Sequence, residues 1–139
     1  MGTILCATRG GEASVLTEEA AIKQAAAGGD EIVFFYVVDV EFMTHAKYTL
    51  RSDLVHEELQ EMAEFLMAMA VERAQKKHVK ARALVRHGDF VEELAQAVAE
   101  VDASLVVLGH PSDDEGLARL EELVDHLAEQ TGVPVCILP

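Results

Sequence analysis

Four stretches of this 139-residue chain are short, nearly unbroken runs of Val, Ile, Leu, Phe and Cys. They fall at Thr3–Ala7, Glu31–Val38, 104–109 and 133–138. A strand alternates its side chains between two faces, so a run that is apolar at every position is covered on both. That is the pattern of a parallel sheet between two layers of helix. A fifth run, 80–86, differs: Ala81, Ala83 and Val85 alternate with Lys80, Arg82 and Arg86. Charge of this kind discourages edge-to-edge pairing and predicts an edge strand. Between the strands the apolar period changes to that of a helix. Val55, Leu59, Met62, Leu66 and Met69 form one stripe, expected to pack into the core with the adaptability of methionine. Val91, Leu94, Ala95 and Val98 form a second, behind an Asp89 cap with Glu92 three residues on. Leu117, Leu120, Val124 and Leu127 form a third, closed by Gly132 and Pro134. An alanine-rich first helix over 12–27 ends at Gly28-Gly29. Strands alternating with helices imply parallel βαβ units with right-handed crossovers.

Half the residues are hydrophobic, enough for one core, and a single domain over 1–139 is expected. No apolar run approaches the roughly 20 residues of a membrane span. No basic stretch precedes an apolar one at the N-terminus, which predicts a cytoplasmic protein. Cys6 and Cys136 lie inside apolar runs, as expected of reduced, buried thiols, and are too few for a zinc site. The net charge of −14 opposes nucleic acid and anionic membrane as partners. The basic residues Arg73, Lys76, Lys77, Lys80, Arg82 and Arg86 gather at one helix end and the next strand, where they suit the helix dipole and a solvated edge. No Gly-x-Ser-x-Gly elbow, Cys-x-x-Cys pair or P-loop is present. Ser14 and Ser112 have no visible base partner. Asp113, Asp114 and Glu115 lack the spacing of a calcium loop and predict no metal site. No catalytic residue is assigned, and an enzyme is not expected.

Ligands of open α/β sheets bind beyond the carboxyl ends of the strands. Here the fourth strand ends at Gly109, and the loop after it carries His110, Ser112 and the acidic run. The connection from Asp39 to Ser52 is long for a βα loop and contains Phe42, Met43, His45, Lys47, Tyr48 and Arg51. Arg9, after the first strand, has two open readings: an arginine paired to nearby acids, or an anion contact at this edge. His87 and Gly88 form a turn before the third helix.

Several local words, in order along the whole chain, resemble the universal stress protein family. They are Ile4-Leu5-Cys6-Ala7-Thr8 with Gly10-Gly11-Glu12-Ala13-Ser14, Tyr36-Val37-Val38-Asp39, His87-Gly88-Asp89, Val106-Val107-Leu108-Gly109, and Val133-Pro134-Val135-Cys136-Ile137-Leu138. The resemblance implies a Rossmann-like, adenine-nucleotide alpha-hydrolase-like three-layer α/β sandwich. Its five-stranded parallel sheet would have order 3-2-1-4-5, with four helices. It implies a homodimer formed through the strand from Val133 to Leu138. Nucleotide-binding members carry an aspartate where this chain has Arg9. They carry Gly-x-x-Gly where it has Gly109 and Ser112, and a later Gly-Ser where it has Glu121-Glu122. The chain is thus similar to the branch without the usual ATP motif. By this resemblance, ligand contacts would fall at Thr8, Arg9, Gly10, Val38, Gly109, His110 and Ser112. The implied function is a non-catalytic binding or regulatory module in the stress response, without a cofactor and with a protein partner or small anionic ligand. The alternative is a divergent nucleotide site for AMP or ATP, with slow hydrolysis at most. An electron-transfer flavodoxin shares the architecture, but no Ser/Thr-rich phosphate loop follows the first strand.

Overall fold

Strand β1 (Thr3–Ala7) lies at the centre of the sheet, flanked by β2 (Glu31–Val38) and β4 (Leu105–Gly109). Outside these run β3 (Ala81–His87) and β5 (Val135–Leu138), giving the order β3-β2-β1-β4-β5 with every pair parallel. Helices α1 (Glu12–Gly28), α2 (Ser52–Lys76), α3 (Phe90–Val101) and α4 (Asp114–Thr131) connect them. These elements come from a computed structural model, which describes residues 2–8, 12–38, 52–109 and 114–138. The charged run is at one edge as β3, three of the all-apolar runs are the central strands, and the fourth is the other edge as β5.

Alternation sorts the strand residues into two cores. On one face Ile4, Cys6, Ile32, Phe34 and Val107 pack under Ala21, Ile22 and Ala25 of α1 and Met67, Ala70 and Ala74 of α2. On the other, Leu5, Val33, Phe35, Val106 and Leu108 pack under Leu94, Ala97, Val98 and Val101 of α3 and Leu127 of α4. Helix α3 starts as its sequence requires. Asp89, in extended backbone, accepts the Glu92 N–H at 3.1 Å. Gly88 before it has φ +135°, a conformation that L side chains rarely adopt. The helix stops at Asp102, in the left-handed region, whose N–H reaches the carbonyls of Ala99 and Val98.

Helix α2 differs from its expected orientation. The residues it buries are Ala63, Met67, Ala70 and Ala74. Leu59 and Leu66 are half-buried, whereas Met62 is 45% and Met69 40% exposed. The side chain of Val55 lies outside the described ones. The stripe of large residues is therefore turned partly to solvent. The physical reason is distance: small alanines let the helix lie close on the sheet, and Met67 fills the gap that remains. A stripe counted from large side chains alone is rotated from the buried one: Leu66 still packs against the core, and Met62 and Met69 do not.

Candidate functional site at the carboxyl edge of the sheet

Thr8, Val38 and Gly109 continue or end β1, β2 and β4. Because β1 pairs with both neighbours, Ala7 opposes Phe35 and Leu108; Thr8 and Gly109 therefore lie level, while β2 runs on past them to Val38. Thr8 is buried; its N–H donates to the Phe35 carbonyl at 3.0 Å and its hydroxyl faces the Met67 sulfur at 4.0 Å. Val38 is also buried, and its carbonyl accepts the Gly88 N–H at 3.1 Å. That bond ties the end of β2 to the turn after β3. Gly109 has a packing reason to be glycine. A Cβ there would stand 3.0 Å from the hydroxyl oxygen of Thr17 on α1, tighter than ordinary contact. Arg9, Gly10, His110 and Ser112 lie outside the described residues, as do His45, Lys47 and Arg51 of the long connection.

The last helix opens at Asp114. By sequence, its first turn carries carboxylates where a phosphate site would carry free N–H groups and no acid. Glu121 and Glu122 are exposed and lie about two turns inside α4. They lie away from the N-terminus of the helix; the carboxylates nearest that end in sequence are Asp114 and Glu115.

Behind the edge sits a feature that the sequence reading missed. Glu18 of α1 is buried and pairs with Arg73 of α2 at 2.7 Å. Burial pushes its carboxyl above the usual range, although the arginine charge and its hydrogen bond pull the other way. The signal was present: Glu18 shares the buried side of α1 with Ala21, Ile22 and Ala25, at steps of three, four and seven. Most of the basic cluster is also paired, Lys76 with Glu72, Lys80 with Glu31 and Arg86 with Glu100. Cys6 and Cys136 flank Val107 in register across three strands. Two strand spacings, roughly 9–10 Å, separate them, too far for a disulfide. Burial raises both thiols, that of Cys6 further, so neither is an activated nucleophile. Among the described residues no group of His, Cys, Asp and Glu is arranged to hold a metal ion, and no helix is long and apolar enough to cross a membrane.

The model of the universal stress protein family matches residues 1–139. The chain belongs to that family. A universal stress protein family structure from Burkholderia pseudomallei shares the fold at a TM-score of 0.76 and 22% identity, covering 99% of this chain and 96% of its own. A universal stress protein in complex with cAMP matches at 0.70 and 19%, covering 99% and 95%. One from Archaeoglobus fulgidus in complex with dAMP matches at 0.65 and 13%, covering 100% and 98%. No curated relative matches the chain in sequence.

Proposed function

We propose that this universal stress protein is a non-catalytic binding or regulatory module of the cytoplasm that does not take ATP in the usual way. The observation that carries this reading is the start of α4. A helix that opens with Asp114-Glu115 in sequence carries like charge in the turn where an N-terminal dipole would otherwise favour a phosphate. The Thr17 hydroxyl against Gly109 gives that glycine a use without a ligand. The test is to denature the purified protein and look for released nucleotide by absorbance and mass spectrometry, then to titrate it with ATP–Mg²⁺ by calorimetry. Little or no binding is expected. Co-purified nucleotide at one per chain, or a low-micromolar affinity, would contradict the reading.

The cAMP and dAMP complexes of two structural relatives favour a second reading, a divergent site for a nucleotide or other small anion. Arg9 would then supply its donor fork, with Thr8, Gly10, Val38, Gly109, His110 and Ser112 around it. AMP binding that is lost in Arg9→Ala would favour this reading over the first.

Assembly as a homodimer through the last strand fits both readings. β5 is an edge strand of Val135, Cys136, Ile137 and Leu138, half-buried throughout. An apolar edge is a liability that a two-fold partner removes. Val135→Lys is expected to sediment as a monomer where the parent chain sediments as a dimer. A monomeric parent at high concentration would exclude the assembly.

A further inference from the structure

Among the described residues, the large apolar side chains that stand exposed all lie on one helical layer. Leu16 is on α1, and Met62, Phe65 and Met69 are on α2, with Phe65 65% exposed. The last three recur at steps of three and four and so share one side of the helix. The same stretch, from Ser52 to Met69, carries Asp53, Glu57, Glu58, Glu61 and Glu64 and no lysine or arginine. The four glutamates are exposed. The basic residues further along α2 are already engaged, Arg73 with Glu18 and Lys76 with Glu72.

We propose that this side of α2 is a docking surface for a cationic amphipathic helix of another protein. Charge selects that occupant. Thioether and phenyl groups beside a row of carboxylates match a helix with apolar anchors three and four residues apart and Lys or Arg beside them. Methionine adapts its shape to such anchors at little cost. A second copy of this chain is the poorer match. It would set one row of glutamates against another in a molecule of charge −14. Three side chains this exposed also offer on the order of 300 Å² of apolar surface, well below the roughly 800 Å² per partner of a stable dimer. That area suits a single helix held weakly and steered by charge. The surface lies on the outside of the α1/α2 layer and does not depend on what the sheet edge binds.

The test titrates the full chain with a synthetic helical peptide carrying Leu on one face and Lys on the other. Controls are a scrambled peptide of equal composition and a version with Glu for every Lys. Methionine-methyl NMR locates the contact, and fluorescence anisotropy measures affinity. Expected are micromolar binding, shifts at the Met62 and Met69 methyls, and weakening by about tenfold or more in the Phe65→Ser/Met69→Ser variant. Glu58→Lys/Glu61→Lys should also weaken it, with urea midpoints retained in both variants. The proposal is overturned by equal binding of the scrambled or acidic peptide, by unmoved methionine methyls, or by undiminished affinity in the serine variant. Sedimentation gives another overturning result: self-association that the serine variant abolishes would show that a second copy covers this face.

Discussion

The two helical layers cover the same sheet by different means. α3 and α4 bury large aliphatic residues such as Leu94, Val98 and Leu127, and α3 is closed at both ends by its own caps. α1 and α2 bury mostly alanine, with Ile22, Met67 and Glu18, whose partner Arg73 is half-buried, while leaving Leu16, Met62, Phe65 and Met69 in solvent. The α3/α4 layer places its apolar volume where stability needs it. The α1/α2 layer uses alanine for close approach and carries four of its large apolar groups outside, where they contribute little to folding. Surface that does not serve the fold is where binding is expected.

That contrast should break most readily inside the α3/α4 layer. Leu94 is fully buried, so Leu94→Ala should remove about 2–5 kcal/mol through lost transfer energy and a cavity. Urea denaturation monitored by circular dichroism would measure it; a loss under about 1 kcal/mol would mean that this layer is no better packed than the other.

Next in size is the ion pair between α1 and α2. Arg73→Ala leaves the Glu18 carboxylate buried without its partner and should cost about 2–3 kcal/mol near neutral pH. This is below the value for a fully buried pair because the Arg73 side chain is 27% exposed. The pH dependence sharpens the point. A carboxyl whose folded pKa is raised has its full stabilising share below the usual carboxylate value and loses it as pH climbs through the raised one. Without the arginine the raise grows, so the variant should lose stability from acid to neutral pH more steeply than the parent. In Glu18→Gln that component should vanish. Parallel pH profiles for parent and Glu18→Gln would show that burial does not raise the Glu18 carboxyl on folding.

Smaller again is the cap. Asp89→Ala removes the acceptor for the Glu92 N–H and should lower stability by about 1 kcal/mol. The smallest effect belongs to the exposed stripe. Phe65→Ser should change stability by less than about 0.5 kcal/mol. A larger loss would mean that Phe65 packs against the fold and that the two layers are more alike than their exposures indicate.

Much of this architecture is legible in the sequence. The edge position of β3 could be read from Arg82 and Arg86 alternating with Ala83 and Val85. The start of α3 followed from Asp89 and Glu92, and the special turn from Gly88. The second helix was legible in existence but not in rotation, because the residues that set its closeness to the sheet, Ala63, Ala70 and Ala74, give no signal in a count of large apolar side chains. The candidate site was legible mainly as a location. Thr8, Val38 and Gly109 meet at one edge because parallel strands are in register there.

By itself, the sequence determined the class of fold, its sheet order through family resemblance, and the surplus of negative charge. The class of fold and the charge follow from local period and composition, which need no neighbour to be read, whereas the sheet order rests on the resemblance alone. Only the tertiary structure decided that Glu18 meets Arg73 across 55 residues, that Gly109 yields space to Thr17, and that Met62 and Met69 face solvent. Each of these depends on how closely two elements approach. That distance is set by packing between distant parts of the chain, which no local pattern encodes.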